Sequence, residues 1–231
     1  MKTRIGTLAV LTAVLACAPA YAAPVSVKLR VEGATKTIFE GKIATDVHQV
    51  TGDQSGPHKC DGTNGGTNTT PGPTATGALD DAADSFNFSW AGSYSSSFDD
   101  FTVDQIGPDS SNDTQFWGLV VNGQDSQVGG CQYKVAAGDE VVWAYDLFSK
   151  KNVLLLRGPT RARAGRPFTV RVKDGRTGQP VAGARVGGRK TGANGVAKLR
   201  YTRRGVRRLK ARRADSVRSN MLRVKVLPPR G

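Results

Sequence analysis

The chain has 231 residues and a net charge of +14, from 33 Lys and Arg against 19 Asp and Glu. This length is sufficient for two domains of ordinary size. Its longest apolar run, Ile5 to Ala16, falls short of the roughly 20 residues that span a bilayer, and no second run lies near Gly231. We therefore expect no transmembrane anchor.

The first 22 residues have the order of a secretory signal peptide. Lys2 and Arg4 precede the apolar run, and small residues ending in Ala20-Tyr21-Ala22 follow it. This order predicts cleavage after Ala22 and a secreted or extracellular protein. A lipoprotein, anchored to the cell envelope through Cys17, and a buried N-terminal helix are the alternatives.

Two cysteines, Cys60 and Cys131, remain after cleavage. In an exported chain, two thiols favour one disulfide. It would close a loop of 71 residues, for which the chain-entropy model gives roughly 4 kcal/mol of stabilisation. A free thiol remains possible, as does a metal site in which His58 and Cys60 are joined by His48 and Cys131.

Charge divides the chain into an acidic and a basic part. Residues 23–148 carry 6 Lys and Arg against 17 Asp and Glu, whereas residues 149–231 carry 25 against 2, a net charge of +23. The composition changes near 148–152. We therefore predict a front module (residues 23–148) and a tail module (residues 152–231), which have different partners or attract each other.

The front module has the pattern of an α+β domain. Its predicted strands are Val25–Val31, Thr37–Ala44, Phe116–Val121 and Glu140–Tyr145. Residues 51–75, rich in Gly, Thr and Asn, predict a long loop held at Cys60. A helix is predicted from Gly77 to Ser85, capped by Thr76, with Asp80 and Asp81 in its first turn.

Six aromatic residues are concentrated near the middle of this module: Phe86, Phe88, Trp90, Tyr94, Phe98 and Phe101. Alternating aromatic residues in strands usually belong to the core. The alternative is a small-ligand cleft lined by Trp90 and Trp117, which would bind a cobalamin-like compound or a glycan.

The tail module has the pattern of an all-β sandwich. Its predicted strands are Val153–Leu156, Phe168–Lys173, Ala184–Val186, Val196–Tyr201, Arg207–Ala211 and Leu222–Val226. Within them apolar and basic residues alternate, so one face should form the core and the other should present Arg and Lys. The fold class is therefore mostly β: a β-grasp-like α+β domain followed by an immunoglobulin-like sandwich.

The front module resembles the C-terminal β domain of the transcobalamin and intrinsic-factor family. The resemblance depends on FWGLVVNG at 116–123 and GDEVVWAY at 138–145, after a leading strand at 25–31. It implies a small β-grasp-like domain. In that family the corrin lies between this domain and a large helical domain, which this sequence lacks, so no ligand contact is transferred to a residue here.

The tail module resembles bacterial immunoglobulin-like and carboxypeptidase-regulatory-like modules. The resemblance depends on TGQPVAGA at 177–184 and TGANG at 191–195. Such modules are extracellular spacers and adhesion domains. The two modules together resemble exported actinobacterial proteins of unknown role.

No catalytic motif or metal-binding motif is visible. His48 and His58 are the two histidines, and no G-x-S-x-G sequence or similar context surrounds them. The acidic pairs Asp80/Asp81, Asp99/Asp100 and Asp109/Asp113 do not have EF-hand spacing. We therefore predict no enzyme, cofactor or metal; a hydrolase that depends on His48 or His58 is the alternative.

The tail module also contains a dense basic segment, with seven cations in the eleven residues from 203 to 213. The candidate residues for binding a polyanion are Arg200, Arg203, Arg204, Arg207, Arg208, Lys210, Arg212 and Arg213. Nucleic acid is not expected, because aromatic residues for stacking are nearly missing and the chain is exported. The predicted partner is an anionic cell-envelope polymer. Alternatively, the basic face only contacts solvent and keeps the protein soluble, or it docks on the chain's own acidic module.

Overall fold

The computed structural model describes residues 23–52 and 56–229. The predicted signal peptide and Cys17 lie outside the described residues. The described chain is mostly β, as predicted, with several sheets and a 12-residue α-helix. Of the described residues, none lies in a helix with the length and apolar composition needed to cross a bilayer.

The front module combines short strands with helix α1. The elements are β1 Val25–Glu32, β2 Thr37–Thr45, β3 His48–Val50, β4 His58–Cys60, α1 Ala75–Phe86, β5 Trp90–Ser95, β6 Asp100–Ile106, β7 Asp109–Ser110, β8 Trp117–Val121, β9 Gln124–Asp125 and β10 Glu140–Tyr145. Short 3-10 helices occupy Asn64–Gly66 and Leu147–Ser149.

Five of these strands form one mixed sheet in the order β2-β1-β10-β8-β9. Its first and last long strands, β1 and β10, are parallel neighbours at the centre, and the other pairs are antiparallel. Helix α1 packs Ala78 and Leu79 against Val27, Leu29 and Val31 of β1. One helix therefore lies against one face of this mixed sheet.

The N-terminus of α1 differs from the prediction. The capping residue is Thr74, whose hydroxyl accepts a hydrogen bond from the Gly77 amide at 3.0 Å, and the helix begins at Ala75. Thr76 is buried inside the helix, and Asp80 and Asp81 lie beyond its first turn. The predicted cap was wrong because two threonines two residues apart satisfy the same local rule.

The segment predicted as a loop over 51–75 contains regular structure in its described part. β4 pairs with β3, which places Cys60 opposite His48, and a short 3-10 helix follows. The disulfide and the side chain of Asn64, which donates to the Lys59 and Asp99 carbonyls at 2.7 Å each, hold the segment. The sequence did not predict this structure, because the segment is polar and is ordered by side chain–backbone hydrogen bonds. Such bonds leave no periodic pattern in the sequence.

The aromatic residues belong largely to the core, as predicted. Trp90 and Phe101 are buried, and Phe88 and Tyr94 pack against the same cluster. The prediction is wrong for Phe86 and Phe98, which are 51 % and 72 % exposed. Phe86 is the last residue of α1, and only one side of its ring is covered, by Phe39 of β2 with ring centres 4.7 Å apart. Phe98 lies in the connection between β5 and β6.

The tail module is built from two sheets that face each other. The strands are β11 Asn152–Arg157, β12 Arg161–Arg163, β13 Pro167–Asp174, β14 Arg185–Val186, β15 Arg189–Lys190, β16 Val196–Arg200, β17 Gly205–Leu209, β18 Ser216–Val217 and β19 Leu222–Leu227. A four-stranded sheet, β16-β13-β11-β18, and a three-stranded sheet, β12-β19-β17, enclose the core. The predicted alternation is confirmed in β13, where Val170 and Val172 are buried while Arg171 and Lys173 are exposed.

The second face of the front sheet is covered by the tail module. Val120 and Val142 of the front sheet form one apolar cluster with Val153 and Val217 of the tail. All five residues of β8 are buried for this reason. Close approach also requires Gly123, whose φ is +80°, because a Cβ there would clash with the Gly175 carbonyl oxygen.

Candidate anion-binding site at the module junction

The eight basic candidates from the sequence do not form one patch. Arg200, Arg203 and Arg204 lie near the start of β17, whereas Arg212 and Arg213 lie beyond its end. Five residues of strand rise roughly 16 Å, so these two groups are well separated. The cations are therefore close together in the sequence but lie at opposite ends of β17.

Two further candidates are engaged within the protein. Arg207 lies over the Tyr201 ring, with its guanidinium carbon 5.0 Å from the ring centre. Lys210 was expected on the exterior, but its side chain is only 9 % exposed and contacts two carboxylates of the front module. The expectation for Lys210 was wrong because the front module covers this side of the tail module, where Glu32 and Glu40 pair with Lys210.

Strand register creates a different basic group, which we call the basic row: Lys190, Arg185 and Arg212. Arg185 pairs with Lys190 in the β14–β15 hairpin and with Arg212 through an isolated bridge on its other side. Residues directly opposite one another share a face, so the three side chains are neighbours. All three are exposed, and within the described residues none forms an ion pair. Like charges held opposite one another repel, which favours an anion that contacts all three.

The basic row lines a cleft of about 610 Å³ between the modules, which we call the junction cleft. Its tail side carries the row and Arg213, and its front side carries Tyr145 and Asp146. An adjoining cleft of about 550 Å³ contains Arg185, Arg212, Arg208 and Lys36. The positive surface therefore continues from the tail module onto the front module.

Other cations of the junction cleft are neutralised by acidic neighbours. Lys150 contacts Asp146 at 2.7 Å, Arg213 contacts Asp215 at 2.9 Å, and Arg218 contacts Glu32 at 2.7 Å. These pairs compensate their own charges and leave the field of the basic row uncompensated. The row is therefore the part of the cleft best suited to hold an external anion.

Below the cleft, a buried ion cluster joins the modules; we call it the Glu32 cluster. Glu32, 2 % exposed, accepts hydrogen bonds from Lys210 and Arg218 of the tail module and from Thr37 of the front module. Lys210 also contacts Glu40 at 2.8 Å, and Glu40 accepts from the Met221 amide at 2.6 Å. Charged groups from both modules therefore satisfy one another.

Arg218 extends this cluster into the turn between β1 and β2. Its guanidinium donates to the Gly33 carbonyl, to the Lys36 carbonyl at 2.8 Å and to the Ala34 carbonyl at 3.3 Å. This turn borders the junction cleft. The Glu32 cluster therefore fixes one wall of the cleft relative to the basic row.

Cys60 and Cys131 form a disulfide, as predicted, and both are buried. The buried carboxylate of Asp100 accepts hydrogen bonds from the Cys131 and Gln132 amides at 3.1 Å each and from its neighbour Phe101 at 2.7 Å. The Gly62 amide donates to the Cys131 carbonyl at 2.9 Å. The disulfide therefore ties the segment after β4 to the chain before β10.

His48 lies against α1, beside Asp80 in the middle of the helix. Its Nε2 is 3.5 Å from an Asp80 carboxylate oxygen, and its Nδ1 is 3.1 Å from the Asp46 carbonyl oxygen. The Asp80 interaction, partly offset by burial, raises the pKa of His48 from 6.5 to about 9. Asp80 also accepts from the Trp90 indole at 2.7 Å. The arrangement is a structural ion pair between β3 and α1.

This pair predicts a pH-dependent stability. A raised pKa means that the stabilisation from protonated His48 is fully present below about pH 6.5 and is lost as the pH rises through about 9. We expect the wild type to lose stability over this interval and His48→Gln to lose less, as measured by urea unfolding at several pH values. An equal loss in both proteins would contradict the assignment.

The other residues considered for catalysis or metal binding have structural contacts. His58 stacks on Tyr94 with ring centres 3.7 Å apart. Asp99 accepts from the Tyr94 hydroxyl at 2.7 Å, and Asp109 accepts from the Ala34 amide at 3.0 Å. Trp117 is buried and donates to the Asp109 carbonyl at 2.9 Å. Over residues 23–52 and 56–229, no group of three His, Cys, Asp or Glu is placed to hold a metal ion.

The comparison with protein families identifies part of the front module. Residues 78–146 match the model of a domain of unknown function, DUF4430. The match covers 69 of the 231 residues, beginning inside α1 and ending just after β10. No curated protein matches the chain. The DUF4430 domain therefore contributes β8 and β10 to the front side of the junction.

Sequence reasoning missed two of the three residues of the basic row, although a signal for one pair exists. Gly187 and Gly188 both have positive φ, at 53° and 82°, and form the two-residue turn between β14 and β15. A Gly-Gly pair between short strands predicts a tight hairpin, which would have placed Arg185 opposite Lys190. The bridge to Arg212 has no such local signal.

Proposed function

We propose that the protein is an exported, non-catalytic binding protein of the cell envelope, and that its tail module contacts an anionic polymer. The basic row is the observation that carries this proposal. Its three exposed cations lie side by side in a cleft, without acidic partners among the described residues. A linear polymer with repeating anionic groups matches such a row, because it offers successive charges along one line.

Export is part of the proposal and has two supports. The order of basic, apolar and small residues over 1–22 is typical of a signal peptide. The Cys60–Cys131 disulfide is typical of proteins that function outside the reducing cytosol. We further propose that the front module is related to the transcobalamin-type β domain in actinobacterial exported proteins; the strand order of the front sheet supports this relation.

The test compares two triple variants of the mature chain, residues 23–231. One replaces the basic row with Gln. The control replaces three exposed cations on the outer face of the four-stranded sheet with Gln: Arg171, Lys173 and Lys198. Both variants lose the same charge, so a difference between them reports the position of the charge and not its total.

We expect the basic-row variant to elute from heparin at lower salt than the control variant. Its affinity for long-chain polyphosphate should depend less on salt, since each lost cation–phosphate contact reduces the slope of log affinity against log salt by roughly 0.7–0.9. Equal elution and equal slopes for the two variants would show that general charge, and not the row, attracts polyanions.

A further inference from the structure

A second cleft at the module junction lies around Arg30 of β1. Two adjoining cavities, of about 620 Å³ and 270 Å³, share Arg30, Glu140, Val142 and Leu155 as lining residues. We call them together the Arg30 groove. The larger cavity is in the range of small-ligand sites. Neither lining includes a residue of the basic row, so the groove is separate from the proposed polymer site.

Arg30 is a buried cation with part of its hydrogen-bonding capacity unused. Its side chain is 10 % exposed, and one terminal nitrogen donates to the Arg218 carbonyl and lies 3.7 Å from Glu32. Among the described residues, its other guanidinium nitrogens have no hydrogen-bond partner. Burial lowers the pKa of Arg30 although three carboxylates oppose that effect, which shows how costly its charge is at this position.

The charges around Arg30 do not balance. The two cavities are lined by more cations than carboxylates: Lys28, Arg30, Lys42, Arg157 and Arg223 against Glu40 and Glu140. Both carboxylates already contact a cation other than Arg30. The groove therefore carries an excess of positive charge, and the ion-pair distance of Arg30 to Glu32 is long, at 3.7 Å.

Apolar side chains from both modules line part of the groove beside Arg30. Val142 of β10 and Leu155 of β11 line both cavities, and Met221, 39 % exposed, lines the larger one. An apolar chain could lie along these walls while its charged end meets Arg30. A carboxylate matches the guanidinium because its two oxygens accept parallel hydrogen bonds.

From this combination we infer that the Arg30 groove binds a small amphipathic carboxylate, with its anionic end at Arg30 and its apolar body against Val142, Leu155 and Met221. The inference does not depend on polymer binding. A negative charge would offset part of the local excess of positive charge, and the apolar part would cover Leu155 and Met221, which are partly exposed at the junction.

The experiment uses octanoate as the probe, below its aggregation concentration, and calorimetric titration of the mature chain. Octanol and octyltrimethylammonium are the matched probes, with the same apolar chain but a neutral or positive end. We expect octanoate to bind at least tenfold more tightly than either. Equal binding of octanoate and octanol would overturn the inference.

Two variants locate the binding. Leu155→Trp fills the groove without removing Arg30 and should abolish octanoate binding, with folding checked by circular dichroism. Arg30→Gln should reduce octanoate binding to that of octanol; if this variant does not fold, Leu155→Trp decides alone. Unchanged binding by folded Leu155→Trp would overturn the inference. The basic-row variant should bind octanoate like the wild type, so failure of the polymer proposal leaves this test intact.

Discussion

Replacement of Glu32 by Gln is expected to lower the free energy of unfolding by about 3–5 kcal/mol, the range for removing one partner of a buried ion pair. Glu32 is 2 % exposed and contacts Lys210 and Arg218 from the tail module. Without its charge, both cations remain buried with too little compensation. Urea unfolding of the mature chain measures the change.

Glu140→Gln is the matched control for this variant. Glu140 lies on the neighbouring strand β10 and pairs with Lys28 at 3.0 Å, but both side chains of that pair are about half exposed. An exposed pair contributes about 0.2–1 kcal/mol. If Glu32→Gln costs no more than Glu140→Gln, the Glu32 cluster does not stabilise the junction. Adding Lys210→Met to Glu32→Gln should recover part of the loss, because it removes one of the uncompensated charges.

Removal of the disulfide is expected to cost a similar amount. The loop between Cys60 and Cys131 spans 71 residues, and its closure gives roughly 4 kcal/mol in the chain-entropy model. We expect the double variant Cys60→Ala, Cys131→Ala to unfold at a correspondingly lower urea concentration. The loss should be greatest around residues 58–74, which contain Cys60 and are also held by the side chain of Asn64.

Reductant provides the control. The reduced wild type should approach the stability of the double variant, and the double variant should not respond to reductant. Hydrogen exchange of the amide of Gly62, which donates to the Cys131 carbonyl, reports the local effect. A double variant as stable as the oxidised wild type would show that the surrounding hydrogen bonds, including those to Asp100, are sufficient.

The elements that depend on short-range patterns were predicted well. Strand β10 has the predicted bounds, Glu140–Tyr145, because its apolar residues are bounded by the Gly138-Asp139 turn. Strand β13 follows strict alternation because one of its faces is core and the other solvent. These outcomes depend on residues within a few positions of one another, which a single sequence contains.

Features that depend on contacts between distant elements were not predictable. The C-terminal half of β1 is buried on both faces, since α1 covers Val31 and the tail module covers Arg30 and Glu32. Alternation alone would have exposed these two charged residues. Lys210 was misplaced for the same reason, because the acidic partners that bury it lie about 170 residues earlier in the chain.

The candidate site shows the same division. Charge counting assigned the excess of Lys and Arg to the tail module, and its candidate residues included Arg212. It could not separate cations that interact with other residues of the chain, such as Arg207 and Lys210, from those that remain exposed and unpaired. Nor could it bring Arg185 beside Arg212, because their pairing joins strand β14 to a segment 27 residues later.

The central pairing of β1 with β10 has a practical consequence for dissecting the chain. A polypeptide limited to the DUF4430 match, 78–146, would include β10 but not β1, its partner in five register pairs. It would also contain Cys131 without Cys60. One edge of β10 would then be open to other chains, a common origin of aggregation. The smallest fragment worth expressing therefore begins near Val25, well before the stretch that matches the family model.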